Sequence, residues 1–288
     1  MTRAYVDAQS VENEYDQWTE DGILEHYWGE HIHHGYYPAG ARGVDFKGAK
    51  IDMIERLLAF GDVGEPKSIL DVGCGIGGSA RHLARHFDAA AIGVTLSEGQ
   101  RSRAEALTGE ETDARFSIAD ALALPFDDAS FDLVWACESG EHMVDKARFV
   151  AEMTRVLKPG GHLLVATWCH RDAALGAAES WLLRRIYREW ALPHFISLAD
   201  YRDILADEAL EDVRMDDWSR EASPTWGHQI RKGIGSLAFL ARQPARVLWR
   251  SLRDAVAVGW MILGYRTGTI RYGVFRARKT ATPGGNTG

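Results

Sequence analysis

Asp71-Val72-Gly73-Cys74-Gly75-Ile76-Gly77-Gly78 is the stretch on which the fold turns. It continues a short apolar run, Ser68-Ile69-Leu70, and leads into Ser79 to Phe87, which has helical spacing. Strand, glycine turn and helix are therefore predicted in that order. Glycines permit positive φ and let backbone approach a ligand, and the helix N-terminus adds N–H donors and partial positive charge. Gly73, Gly75 and Gly78 also satisfy the dinucleotide spacing GxGxxG, so the loop alone admits a nicotinamide or flavin. Two features point elsewhere. Asp71 lies two positions before the first glycine, and glycines fall at alternate positions 73, 75 and 77.

Working outward, strands and helices alternate. Ala89 to Val94, Ala114 to Ile118, Phe131 to Ala136 and His162 to Trp168 read as strands. Ser97 to Leu107 and Asp145 to Leu157 read as helices, the second stopped by Lys158-Pro159-Gly160-Gly161. Such repetition with apolar strands predicts a parallel sheet covered by helices on both faces. Val11 to Leu24 and Lys50 to Phe60 are helical in pattern, and Glu25 to Tyr37 is an aromatic and histidine cluster between them. Beyond the core, Ala177 to Trp190 and Leu198 to Leu205 are helical, Val213 to Trp218 is a strand, and Thr269 to Ala277 is a final edge strand.

With 288 residues, 46% hydrophobic and 26% charged, the chain has the composition of a globular protein with a substantial core. Its three cysteines, Cys74, Cys137 and Cys169, form no CxxC pair, and a reduced, cytoplasmic compartment is expected. The polar, acidic start resembles neither a secretory signal nor an Arg-rich transit peptide. The longest strongly apolar run, Ala255 to Leu263, is roughly half the ~20 residues a membrane span needs. The net charge of −8 is unevenly spread: Trp226 to Lys279 holds eleven Lys or Arg and one acid, Asp254. A basic, apolar segment on an acidic body suggests peripheral contact with an anionic membrane or a lipid-like ligand. A nucleic-acid partner is not expected from an acidic chain without a reader motif.

The motifs together resemble the seven-stranded S-adenosylmethionine-dependent methyltransferases, whose first motif is acid-x-Gly-x-Gly-x-Gly. Asp120-Ala121 after the third strand, Leu124-Pro125-Phe126 with Phe131-Asp132-Leu133-Val134, and Leu157-Lys158-Pro159-Gly160-Gly161 follow in the family's order. The flanking segments narrow the resemblance. Tyr15-Asp16-Gln17-Trp18, Tyr27 to Tyr37, Glu138 to Met143, Thr167 to Asp172, Asp216 to Ser219 and the stretch around Tyr272 are similar to the tocopherol methyltransferases. The resemblance implies an α/β fold: a seven-stranded Rossmann-like sheet with helices on both faces, in one methyltransferase domain. Its parts would be an N-terminal lid (1–60), a cofactor-binding core (61–175), a helical acceptor lobe (176–265) and a last strand (266–279).

S-adenosyl-L-methionine is the implied cofactor. Asp71, Gly73, Gly75 and Gly77 are its expected cradle, with Asp120 and Ala121 at the adenine. The acid that many relatives carry after strand two is replaced by Thr95, followed by Leu96, so the ribose contacts fall to Thr95 with Ser97 or Gln100. Tyr15, Tyr36 and His33 are expected to close over the cofactor, and His31, His33 and His34 are read as lid residues rather than metal ligands. Methyl transfer to a phenol is helped by a base. Glu138, Glu141 and His142 after strand four and His170 after strand five are the candidates, Glu138 also as a cofactor contact. The expected acceptor is a small hydrophobic, prenylated aromatic such as γ-tocopherol. The alternatives are carbon methylation of a phytyl or prenyl benzoquinol or of a prenyl diphosphate, with Arg171, Arg184, Arg185 or Arg188 holding phosphate, or methylation of another natural product.

Overall fold

The structure, a computed structural model, describes residues 15–40 and 43–281. The first four positions of the expected helix from Val11 to Leu24 lie outside them; residues 15–20 are helical, and α1 follows at Ile23–Trp28. Seven strands form one sheet in the order β3-β2-β1-β4-β5-β7-β6. They are β1 (Ser68–Val72), β2 (Ala90–Thr95), β3 (Ala114–Ile118), β4 (Phe131–Cys137), β5 (Leu157–His170), β6 (Leu210–Asp217) and β7 (Ile270–Lys279). β1 pairs in parallel with β2 and β4, while β7 runs antiparallel to both β5 and β6.

Alternation along the strands divides the core between two faces. Ile69, Leu133, Trp135, Leu164 and Trp168 point to one face and pack with α2 (Phe46–Gly61) and α3 (Gly78–Phe87). The same face receives Ala104 of α4 (Glu98–Ala106). Leu70, Val72, Val134, Leu163 and Val165 point to the other, against Phe149 and Met153 of α5 (Lys146–Val156). The later helices divide in the same way. α6 (Ala177–Glu189) joins the first cluster through Leu182 and Ile186, and α7 (Leu198–Ala206) joins the second through Tyr201 and Leu205. α8 (Pro224–Gly235) and α9 (Ala245–Arg266) lie on the first face, through Trp226 and Met261.

Two expectations are corrected. β7 is not an edge strand but lies inside the sheet between β5 and β6, which makes the sheet mixed rather than parallel. Ile270, Tyr272, Val274 and Phe275 are all fully buried, because both faces of β7 are covered; adjacent buried residues such as Val274 and Phe275 look irregular only if one face is assumed wet. The edge is β6, whose side chains are mostly exposed and whose acids Glu211, Asp212, Asp216 and Asp217 discourage pairing with another chain. β5 also begins earlier than expected. Lys158 to Gly161 belong to it as an irregular start, with a register shift opposite Phe131 to Leu133.

Candidate active site

A cavity of about 110 Å³ opens above the glycine turn, where the C-terminal ends of β1, β2 and β4 and the turn after β3 converge. This is where an open α/β sheet presents ligands. Gly73 and Gly75 line it with φ of +80° and +54°, and the N–H groups of Gly73 and Cys74 donate to the Val94 carbonyl at 2.9 Å each. The turn is thereby tied to β2. Only Ile32 Cδ1, at 3.3 Å, would meet a Cβ at Gly75, whereas a Cβ at Gly73 would collide with Ser139. Asp71 is buried on the wall with its Oδ2 unpartnered among the described residues, and burial pushes its carboxyl up to about 7.

At the end of β2, Thr95 donates its hydroxyl hydrogen to Gln100 Oε1 (2.8 Å) and accepts from the Ser97 amide (3.2 Å). With its oxygen engaged, Gln100 has its amide hydrogens left for a ligand. Leu96, Ala121 and an exposed Asp120 complete this side, and Asp120 Oδ1 accepts from the Leu122 amide at 2.9 Å.

The N-terminal segment forms the roof. Glu30, His31, Ile32 and His33 line the cavity, and the Glu30 carbonyl passes so close to Gly78 that any Cβ there would collide with it. Asp16 anchors the segment from the far side. It accepts from Ser97 Oγ at 2.5 Å and the Gly99 amide at 3.0 Å, at the N-terminus of α4, where a helix favours negative charge. Lys50, buried on α2, donates to the carbonyls of Trp28 and His31, the latter at 2.8 Å.

Glu138 locks the roof to the sheet. Its backbone has φ +56°, uncommon for a residue with a Cβ. Its carboxylate accepts from the His34 amide (2.5 Å), His34 Nδ1 (2.9 Å) and the Tyr272 hydroxyl (2.9 Å). Burial alone would raise its pKa, but the two His34 bonds and the adjacent imidazoles hold it below the ordinary carboxylate value. With three donors already satisfied, Glu138 is placed to hold rather than to move a proton. His33 uses Nδ1 to donate to its neighbour's carbonyl at 2.8 Å, which leaves Nε2 as an acceptor; burial lowers its pKa to about 4. His33, Cys137 and Glu138 have ligand atoms within 4.8 Å of one another, and burial raises the Cys137 thiol well above its ordinary value.

Beside the cofactor cavity lies a narrow space of about 30 Å³ walled by Tyr15, Glu138, Glu141, His142, Trp168 and Trp190, among others. His142 lines both spaces. Its Nε2 is 3.0 Å from the Tyr15 hydroxyl and its Nδ1 is buried without a partner among the described residues; burial lowers its pKa to about 4, so the ring is neutral. Glu141 accepts from Thr167 Oγ1 at 2.8 Å, and burial, reinforced by the charge on Glu138, pushes it up to about 8. Trp18, Leu24, Trp28 and Trp190 then separate this neck from an apolar cavity of about 320 Å³ bounded by α1, α8 and α9. The three spaces thus lie in a row from the glycine turn to this apolar chamber, neighbours sharing walls.

Three expected site residues stand apart. Gly77, φ +80°, caps α3 and faces Phe116 and Arg81 behind the turn. Tyr36 packs edge-on against Trp218 at 5.4 Å and does not line the cavity, because the chain has already turned toward α2, where its amide bonds the Ala49 carbonyl. His170 folds back, with Nδ1 donating to the Arg171 carbonyl at 2.8 Å, and lines neither cavity nor neck. Sequence reading missed Asp16, Lys50, Gly78 and the Glu138 partners. Lys50 had a signal: it shares the buried stripe of Ile54 and Leu57 at helical spacing.

Residues 70–165 match the family model of the methyltransferase domain. The chain is 40% identical to a 2-methyl-6-phytyl-1,4-hydroquinone methyltransferase from Synechocystis, over 97% of this chain and 91% of that one. It is likewise 40% identical to a chloroplastic tocopherol O-methyltransferase of Arabidopsis thaliana, over 90% and 79% respectively. The chain belongs to the tocopherol methyltransferase family. It is an S-adenosylmethionine-dependent methyltransferase. A geranyl diphosphate C-methyltransferase from Streptomyces coelicolor shares the fold, with a TM-score of 0.73 at 19% identity over 96% of this chain and 100% of that one. The site of this methyltransferase suits its cofactor: the unpartnered Asp71 oxygen meets a cationic ligand's need, and the Cβ-free Gly75 leaves room beside it. Gly75→Val is expected to abolish S-adenosylhomocysteine binding by calorimetry. Stability should fall by about 1–3 kcal/mol, since a β-branched side chain is strained in the left-handed region.

Proposed function

We propose that this methyltransferase acts on a prenylated aromatic, at the phenolic oxygen of a chromanol of the γ-tocopherol type. One observation carries the reading: the cofactor cavity, a neck walled by His142 and Glu141, and an apolar chamber of about 320 Å³ lie side by side with shared walls. With the shared walls parted, a ring beside His142 would leave its isoprenoid tail in the chamber, where Ile23, Leu24, Trp28, Ile230 and Val258 offer burial at roughly 25 cal/mol per Å². On this reading residues 1–60, so far as described, act as a lid, 61–175 as the cofactor-binding core, 176–265 chiefly as the acceptor lobe, and 266–279 as the strand that completes the sheet. Asp71, Gly73, Gly75, Thr95, Leu96, Gln100, Asp120 and Ala121 would hold the cofactor, with His33 and Tyr15 above it.

Bound S-adenosylmethionine supplies an electrophilic methyl group on a sulfonium. His142 Nδ1, neutral and unpartnered, takes the phenolic proton, while Nε2–H donates to the Tyr15 hydroxyl and fixes the ring. The aromatic walls and the lid exclude water from the displacement. A diphosphate acceptor is disfavoured because no Lys or Arg lines the cofactor cavity, neck or chamber among the described residues. Arg171 is held bidentately by Glu179 instead, at 2.5 and 2.7 Å. The name of the Synechocystis relative supports ring-carbon methylation of a phytyl benzoquinol as the second reading. The test is transfer of labelled methyl from S-adenosylmethionine to a panel of tocopherols, phytyl benzoquinols and prenyl diphosphates. O-methylated chromanol is expected; turnover confined to a benzoquinol ring or a diphosphate would overturn the phenol assignment.

A further inference from the structure

Helix α9 is turned inside out. In a helix that faces water, charged residues lie outward and apolar ones inward. Here the exposed side chains between Leu248 and Leu263 are Leu248, Trp249, Leu252, Val256 and Leu263, with only alanine and glycine between them. Trp249 is 72% exposed. Between the same two residues the charged ones, Arg250, Arg253 and Asp254, are half-buried, and Arg250 pairs with Asp21 of the N-terminal segment at 2.7 Å. The adjoining α8 adds Ile230 and Ile234, the latter 66% exposed. Soluble surfaces seldom carry so continuous an apolar patch without a partner.

Resting on the acceptor reading above, we propose that this α8–α9 face docks on an anionic lipid bilayer and that the acceptor enters the chamber through it. Three observations choose this occupant. Ile230, Ile234 and Leu252 are exposed and also line the apolar chamber, so the patch surrounds the chamber's mouth. A molecule whose tail fills that chamber is itself dissolved in membrane. Charge agrees: from Pro224 to Arg266 the one acid is the half-buried Asp254, while Arg231, Arg242 and Arg266 of the same segment are exposed. Cations next to an apolar face are what an anionic lipid surface attracts. Finally, no described helix is long and apolar enough to cross a membrane, so α9 would lie in the interface plane rather than span it.

The test uses the whole chain with vesicles of phosphatidylcholine, with or without about one-third phosphatidylglycerol. Sedimentation with the anionic vesicles is expected at low salt, with weaker binding at high salt. Brominated lipid should quench the native fluorescence more than that of Trp249→Phe. The double variant Trp249→Glu, Val256→Glu should bind vesicles at least about tenfold more weakly, because each apolar contact is replaced by a charge that must stay in water. Neither residue lines the cofactor cavity, neck or chamber, so turnover of a detergent-solubilised acceptor should be unchanged, as should the unfolding midpoint. Absence of vesicle binding at low salt would overturn the proposal, as would undiminished binding by the double variant. A dimer in light scattering that the same variant dissociates, without vesicle binding, would give the face to a second copy of the chain. Vesicle binding together with failure on every prenylated acceptor in detergent would leave the docking face standing and remove the acceptor reading.

Discussion

Glu138→Ala is expected to destabilise the protein by about 3–5 kcal/mol, because it leaves several buried donors without their charged acceptor. Two His34 donors and the Tyr272 hydroxyl converge on this carboxylate, and both donor residues are fully buried. Without it, three donors lose their acceptor where water cannot replace it. Residues 31–35 should then exchange amide hydrogens faster, and S-adenosylhomocysteine should bind more weakly, because the roof is released. Glu138→Gln should fall between. Its oxygen can serve the His34 amide and Tyr272, but its NH₂ would face His34 Nδ1, forcing the ring proton to the unpartnered Nε2. The sign of the pH effect follows from the lowered carboxylate. Its stabilisation is present above the ordinary value of 4.5 and is lost as pH falls below it. Unchanged denaturant midpoint and exchange in the alanine variant would show that the roof is held elsewhere.

His142→Ala is expected to lower turnover on a chromanol by about 10²–10⁴-fold, the range for losing a positioned base, with cofactor affinity little changed. Because the folded His142 keeps its neutral form above about 4, native turnover should not fall between pH 8 and about 5 through this ring. Glu141 gives the contrast. In the folded chain it holds its proton to about 8, against 4.5 ordinarily, so between these values the folded state binds more protons than the unfolded one. Its burial therefore costs stability progressively as pH rises through that window. Glu141→Gln should match the native midpoint near pH 5 and exceed it near pH 9. If Glu141 were the base instead, turnover would climb through pH 8 and the glutamine variant would lose it.

The cofactor half of the fold was legible because local chemistry and tertiary role coincide there. Ser68 to Val72 and Ala114 to Ile118 have the strand limits read from sequence, since an apolar run bounded by turn residues admits little else. β7 was misplaced because its burial on both faces depends on where the chain returns, which no local period records. Tyr36 and His170 failed for a related reason. Both occur in segments resembling the family, but their directions go with the bond of the Tyr36 amide to the Ala49 carbonyl and of the His170 ring to the Arg171 carbonyl. Asp16 could be quoted within a motif, yet its part in fixing the roof follows only from the meeting of distant segments at Ser97 and Gly99.

Tyr272 belongs to β7, which a ribosome makes after every other described strand. The glycine turn and β1 to β5 can therefore be synthesised well before the hydroxyl that completes the Glu138 lock exists. β6 must meanwhile wait, since its partner in the sheet is β7 rather than β5. A nascent chain at that stage would carry an uncovered β5 edge and the exposed apolar side chains of α9 together. The last strand made is therefore the one that covers the β5 edge, so the hazard of premature pairing ends only with the final described residues.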